Sequence, residues 1–191
     1  MRMRRIFLIG LPGSGKSAVG QEVARILGWN FLDTDDLLAQ RMGMPTGEVL
    51  VKYGEERFRQ IETEVLVDAS EQECVVVATG GGIVIAEANR TFMREHGLVI
   101  YLRVSVETAW QQAQAHLRES GIKAVRPLIA GADGKQRLEQ LYAARRQWYE
   151  QATIQIDTDA IEPDVLAQQI VVAALAAGNL SSSSTTGTCV S

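Results

Sequence analysis

The chain has 191 residues, of which 46% are hydrophobic and 22% charged, and its formal net charge is -4. This apolar content excludes a disordered chain and predicts a compact domain with a hydrophobic core. The acidic balance argues against non-specific binding to nucleic acid. Apolar runs at residues 6–9 and 170–177 are far shorter than the roughly 20 residues of a membrane span. We therefore expect a soluble, cytoplasmic protein with no membrane or nucleic-acid partner.

Five short apolar runs predict β-strands, and longer amphipathic segments separate them. The runs cover residues 6–9, 31–32, 75–78, 98–102 and 154–156. None alternates cleanly between apolar and polar residues, which is typical of strands buried on both faces. The intervening segments are long enough for helical crossovers, so we predict an α/β fold with a parallel sheet flanked by helices.

Composition also predicts how the chain is divided. Residues 1–177 are expected to form one domain, and the Gly-containing, charged segment at about 117–133 is expected to form a mobile lid. Residues 178–191 are rich in Ser and Thr and have little to bury, so we expect a disordered tail. The sequence carries no dedicated interface signal, and we expect a monomer.

The first predicted strand runs directly into Gly-Leu-Pro-Gly-Ser-Gly-Lys-Ser at residues 10–17, a full match to the phosphate-loop pattern G-x-x-x-x-G-K-[ST]. The glycines let backbone N–H groups turn toward phosphate oxygens. Lys16 is placed to reach the β- and γ-phosphates, and the Ser17 hydroxyl is a suitable ligand for Mg²⁺. The pattern therefore predicts a site for a nucleoside triphosphate with Mg²⁺.

The same residues also fit a dinucleotide-binding fingerprint. Residues 13–18 read G-x-G-x-x-A, and Asp33 and Asp35 follow about 20 residues later. A dinucleotide site, however, does not need Gly10, Lys16 or Ser17, whereas a triphosphate site needs all three. We therefore favour the phosphate loop and keep the dinucleotide site as an alternative.

Three acids, Asp33, Asp35 and Asp36, follow the second predicted strand, at the sheet edge where ligands bind in open α/β folds, and Asp36 is expected to be an ordinary solvated acid. If the chain is still extended there, Asp33 and Asp35 point to the same side. That arrangement suits one acid near the metal and one near an acceptor hydroxyl. The alternative is that one aspartate only caps the helix that follows.

Three further features are candidates for binding a small anionic substrate. Arg59 is spaced from Glu55 and Glu62 as in a surface ion pair, but its guanidinium equally suits bidentate binding of a carboxylate. Residues 80–82 are three consecutive glycines at the end of a strand, which would leave room for a ligand. Arg126, in the expected lid, would neutralise phosphoryl oxygens and help to exclude water.

Taken together and in this order, the motifs resemble those of the shikimate kinases, P-loop kinases of aromatic amino-acid biosynthesis, over roughly residues 4–175. The motifs are GLPGSGKS at 10–17, FLDTD at 31–35, GEERFRQIE at 54–62, TGGG at 79–82, VRPL at 125–128 and RRQWY at 145–149. The resemblance implies a five-stranded parallel sheet of the P-loop, nucleoside-monophosphate-kinase-like type. It also implies transfer of the γ-phosphoryl group of ATP, with Mg²⁺, to the 3-hydroxyl of shikimate.

The resemblance further implies roles for individual residues. Lys16, Asp35 and Arg126 would be catalytic, with Asp35 holding the shikimate hydroxyls and serving as base. Ser17 would bind Mg²⁺ directly and Asp33 through water. The ATP phosphates would be held by Gly13, Ser14, Gly15, Lys16, Ser17 and Ala18, with Arg126 over them. Shikimate would be held by Asp35, Arg59, Gly80, Gly81, Gly82 and Arg145.

Some alternatives stay open. The family usually has Pro-Leu between its last arginine and a Tyr, whereas this chain has Gln147-Trp148. Arg146 is therefore an alternative to the favoured Arg145, and Arg118 is a candidate near the adenine with no assigned role. The alternative functions are a gluconate- or nucleotide-type P-loop kinase and a non-catalytic nucleotide-binding domain.

Overall fold

A computed structural model describes residues 4–119 and 133–176. Within them, five parallel strands form one sheet in the order β2-β3-β1-β4-β5. The strands are β1 (Arg5–Ile9), β2 (Asn30–Asp33), β3 (Val75–Ala78), β4 (Leu98–Arg103) and β5 (Ile154–Asp157). The helices are α1 (Lys16–Leu27), α2 (Thr34–Met42), α3 (Thr46–Ala69), α4 (Glu87–His96), α5 (Val106–Glu119), α6 (Gly134–Tyr149) and α7 (Pro163–Ala176), with a 3₁₀ helix at Ile83–Ile85. The predicted fold class is confirmed.

Helices cover both faces of the sheet because successive strand residues point to opposite sides. Ile6 and Leu8 of β1 pack with apolar residues of α1 and α7. Phe7 and Ile9 pack on the other face with residues of α3, α4, α5 and α6. A central strand with no polar face therefore reads as a continuous apolar run, as the sequence shows.

The parallel arrangement brings three functional segments to one edge of the sheet. The register aligns both Leu8 of β1 and Asp33 of β2 with Ala78 of β3. The phosphate loop after β1, the acids at the end of β2 and the glycine run after β3 therefore lie side by side. Such an edge, at the carboxyl ends of strands, is where open α/β sheets bind ligands.

Local chemistry explains several element boundaries. Asp33 caps α2, because its side chain accepts a hydrogen bond from the Asp35 amide. The Ser105 hydroxyl accepts from the Thr108 amide at the start of α5. Helix α3 consists of two helical segments. The two segments meet at a kink at Gly54, where φ is 78°.

Other predictions stay untested. The expected tail lies outside the described residues, and so does nearly all of the expected lid, including Arg126. The division into one domain and a tail therefore remains a prediction. Among the described residues, no helix is both long enough and apolar enough to cross a membrane.

Candidate active site

The phosphate loop connects β1 to α1 and has the backbone shape that its sequence predicts. Gly13 has φ 82°, in the left-handed region that favours glycine. A Cβ at this position would also lie 2.1 Å from the Ala109 carbonyl oxygen. The loop is therefore packed tightly against α5.

Lys16 lies at the first position of α1 and folds over this loop. Its Nζ donates to the carbonyl oxygens of Gly10 at 3.1 Å and Leu11 at 2.7 Å, and to the Ser14 hydroxyl at 3.2 Å. Ser14 itself is buried. These contacts keep the ammonium group at the phosphate loop.

Ser17 and Asp33 bring two hard oxygen donors together. The Ser17 hydroxyl donates to Asp33 Oδ2 at 2.5 Å, while Asp33 Oδ1 accepts from the Asp35 amide at 2.9 Å. Asp33 thus serves both as a helix cap and as a neighbour of the phosphate-loop serine. The described residues hold no cluster of three or more acids, histidines or cysteines around a metal position. A hydroxyl with one carboxylate nevertheless fits Mg²⁺, which usually keeps several waters and binds substrate phosphates as well.

A cavity of about 320 Å³ extends from the phosphate loop to the glycine run after β3. Its volume lies at the lower end of the range of small-molecule sites. Of the predicted site residues, the following line it: Gly13, Gly15, Lys16, Ser17, Ala18, Asp33, Asp35, Arg59, Gly80, Gly81, Gly82 and Arg145. Glu62 and Gln112 also line it, although the sequence predicted a binding role for neither.

The glycine run makes room for charged side chains of the protein itself. A Cβ at Gly80 would lie 2.8 Å from Asp35 Oδ1 and 3.0 Å from Glu62 Oε1. A Cβ at Gly82 would lie 2.1 Å from Arg59 Nη1. The Gly80 amide donates to the buried Thr34 hydroxyl at 3.0 Å, a contact that sequence reasoning missed. The run therefore packs two carboxylates and a guanidinium around one short piece of backbone.

Arg59 is held by two acids of very different exposure. It pairs with Glu55 at 3.4 Å and, more closely, with Glu62. Glu55 is exposed, whereas the Glu62 residue is only 5% exposed. Burial raises the pKa of the Glu62 carboxyl to about 7, although the Arg59 guanidinium favours the charged form. The nearby Asp35 carboxylate raises this pKa further, and Arg145 opposes that effect. The i,i+3 spacing predicted an ion pair, but not that Glu62 is buried in the site.

Adjacent arginines of α6 lie in different environments. Arg145 is 5% exposed, and its Nη1 donates to the Gly81 carbonyl oxygen at 3.2 Å. Arg146 is exposed and pairs with Glu150 at 2.6 Å. The Tyr149 hydroxyl also donates to the Gly81 oxygen, at 2.6 Å. The helix therefore turns Arg145, and not Arg146, toward the cavity.

Comparison with known proteins identifies the family. A family model described as shikimate kinase matches residues 12–175. The chain belongs to the shikimate kinase family. A shikimate kinase of Moorella thermoacetica is 39% identical over 165 residues, covering 86% of this chain and 91% of the relative. A shikimate kinase of Geobacter sulfurreducens is 41% identical over 155 residues, covering 81% and 82%.

Solved structures agree with this family. Shikimate kinase from Acinetobacter baumannii in complex with shikimate matches with a TM-score of 0.83 and 33% identity, covering 92% of this chain and 94% of that one. A gluconokinase from Sinorhizobium meliloti, with a TM-score of 0.54 and 16% identity, shares the fold alone. The predicted family and activity are confirmed: the chain is an ATP-dependent kinase that acts on shikimate. The family match leaves the dinucleotide-binding, gluconate-kinase and non-catalytic alternatives without support.

The buried Glu62 predicts a specific dependence of stability on pH. Because its pKa is about 7 in the folded protein, against an ordinary value of 4.5, the folded state binds this proton more tightly than the unfolded state. The contribution of Glu62 to the free energy of unfolding should therefore fall by roughly 2–3 kcal/mol as pH rises from about 4.5 to about 7. In Glu62→Gln, denaturant unfolding should show a smaller decrease of the unfolding free energy over the same pH range.

Glu55→Gln is the matched control, because it removes the exposed partner of the same arginine. Its unfolding free energy should follow the wild-type pH dependence. An unchanged pH dependence in Glu62→Gln would contradict the assignment of a raised pKa to this buried carboxyl.

Proposed function

We propose that the cavity binds ATP at the phosphate loop and shikimate against the glycine run, and that the residues lining it carry out the transfer. The observation that supports this most strongly is the convergence of Arg59, Arg145 and Asp35 on Gly80–Gly82, in the same cavity as Lys16 and Ser17. One end of the cavity suits phosphates, and the other suits a small polyhydroxy acid.

At the acceptor end, Arg59 and Arg145 bind the shikimate carboxylate. A guanidinium has five N–H donors, so the contacts of these arginines with Glu62 and Gly81 leave other donors for the substrate. Both arginines are largely withdrawn from water, which strengthens a charge-assisted hydrogen bond. Asp35, beside Gly80, accepts hydrogen bonds from the ring hydroxyls.

At the donor end, backbone amides of residues 13–18 and the Lys16 ammonium hold the ATP phosphates. To reach a phosphate, the ammonium exchanges its carbonyl partners at Gly10 and Leu11 for phosphate oxygens. Ser17 would hold Mg²⁺ directly and Asp33 would hold it through water. The ion, when bound, neutralises charge on the β- and γ-phosphates.

The proposed transfer is a single displacement. Asp35 takes the proton of the shikimate 3-hydroxyl as its oxygen bonds to the γ-phosphorus. The bond between that phosphorus and the β,γ-bridging oxygen breaks, which yields shikimate 3-phosphate and ADP. The assignment of Arg126 to the phosphoryl oxygens stays a prediction. We further propose that the protein is a monomer, since its sequence carries no dedicated interface signal, and that it acts in the cytoplasm.

Replacing each α6 arginine in turn tests the acceptor end. Arg145→Met should raise the KM for shikimate about 10- to 100-fold, because a charge-assisted contact to the carboxylate is lost, and leave the KM for ATP nearly unchanged. Arg146→Met, one residue away on the exposed side, is the control and should keep both KM values within about twofold. Steady-state kinetics with each substrate varied would measure this. A larger effect from Arg146→Met would assign the carboxylate contact to the other arginine.

Asp35→Asn tests the base. The amide keeps the size of the side chain but cannot take a proton, so kcat should fall about 10²- to 10⁴-fold while the dissociation constant for ATP changes little. Product formation and calorimetric titration of ATP would measure the two effects separately. Turnover near the wild-type rate would show that Asp35 is not the base.

A further inference from the structure

We propose that Arg90 of α4 and Trp148 of α6 are positioning residues for shikimate binding: together they fix the glycine run and Arg145 relative to each other. Neither side chain lines the cavity. The proposal rests on the proposed function in one respect, which is that Arg145 binds the substrate carboxylate.

The glycine run continues directly into the 3₁₀ helix Ile83–Ile85. The amide of Ile83 donates to the Gly80 oxygen at 3.1 Å, and the amide of Ile85 donates to the Gly82 oxygen at 3.0 Å. Glycine backbone has little rotational restraint of its own, so these bonds to the next segment help to define the shape of the run. Its position therefore depends on how the 3₁₀ helix is held.

Side chains of α4 hold that 3₁₀ helix by its carbonyl groups. A single helical turn leaves its last carbonyls without helical partners. Asn89 Nδ2 donates to the Ile83 oxygen at 3.2 Å, and Arg90 Nη1 donates to the oxygens of Val84 at 2.6 Å and Ile85 at 3.0 Å. Two adjacent residues of α4 thus satisfy all three carbonyl groups of the turn.

Arg90 also contacts the helix that carries Arg145. Its guanidinium carbon lies 5.4 Å from the centroid of the Trp148 ring, within the range of a cation–π interaction. Across the described residues Arg90 forms no ion pair, so its charge is directed at carbonyl oxygens and at this ring. Trp148 follows Arg145 by three residues, and the two therefore move together on α6.

The contacts form a closed ring around the acceptor end. At one point, Arg145 and Tyr149 of α6 donate to the Gly81 oxygen. At the other, Trp148 of α6 meets Arg90, which holds the 3₁₀ helix that continues from the same glycine run. Because α6 is fixed to the run at two places, Arg145 cannot shift along it without breaking one of them. The family pattern has Leu at the position of Trp148. The contact between Arg90 and an aromatic ring at this position is therefore a feature of this chain that the pattern does not predict.

The test compares Arg90→Met, Trp148→Leu and the double variant with Arg94→Met. Arg94 is an exposed arginine of the same helix, and within the described part of the chain its side-chain hydrogen bonds go to Thr91 and Gln151, not to the 3₁₀ helix. Each single substitution should raise the KM for shikimate by roughly tenfold and change the KM for ATP by less than twofold, because a small displacement of Arg145 weakens only the acceptor contact. The double variant should be little worse than either single one, and Arg94→Met should match the wild type.

Arg90→Lys provides the conservative rescue, since an ammonium still donates to the carbonyl oxygens but lacks the planar face that lies on Trp148. Its KM for shikimate should therefore lie between that of the wild type and that of Arg90→Met. If Arg90→Met does not fold, Trp148→Leu, which introduces the residue of the family pattern, carries the test alone.

Three results would overturn the proposal: an unchanged shikimate KM in the folded variants, an equal rise in both KM values, or additive effects in the double variant. Failure of this proposal is distinguishable from failure of the proposed function. A normal shikimate KM in Arg145→Met would contradict the proposed function itself. A raised KM in Arg145→Met with a normal KM in Arg90→Met would remove only the positioning role.

Discussion

The proposed acceptor end of the site depends on the short backbone segment Gly80–Gly82. The Gly80 amide donates to the Thr34 hydroxyl, and the Gly81 carbonyl oxygen accepts from Arg145 and Tyr149. Its missing side chains leave the space that Asp35, Glu62 and Arg59 occupy. The parallel sheet places this segment beside the phosphate loop, because both follow neighbouring strands at their carboxyl ends. The absence of side chains from this backbone at the sheet edge therefore lets the residues proposed to bind the acceptor lie next to the phosphate loop.

Both arginines beside this segment have partners within the protein. Arg59 and Arg145 are mostly buried, and burying a cation is costly unless it is paired and hydrogen-bonded. Glu62 pairs with Arg59, and the Gly81 oxygen accepts from Arg145. Glu62 itself has a pKa raised to about 7 by burial, so near neutral pH part of the site's negative charge can be lost by protonation. In the proposed function the shikimate carboxylate adds the further anion that two arginines can accommodate.

Much of this could be predicted from the sequence, because the features concerned are local. The strands are apolar runs, and the phosphate loop is a contiguous motif whose residues lie close together in the fold. The burial of Glu62 could not be predicted, because an i,i+3 pair has the same spacing on a buried helix face as on an exposed one. The choice between Arg145 and Arg146 had a related difficulty: neighbours on a helix point about 100° apart, and packing of α6 on the sheet decides which one faces inward. The three glycines were expected to make room for a ligand, but they also make room for side chains from α2 and α3.

The substitution Gly82→Ala tests the central role of this segment most directly. Gly82 has φ −94°, a backbone that alanine adopts freely, so the change adds only a methyl group where Arg59 lies. Calorimetric titrations of the variant with shikimate and with ATP would measure both halves of the site. The expected result is that shikimate affinity falls at least about tenfold while ATP affinity stays close to that of the wild type. Unchanged shikimate affinity in the folded variant would contradict it.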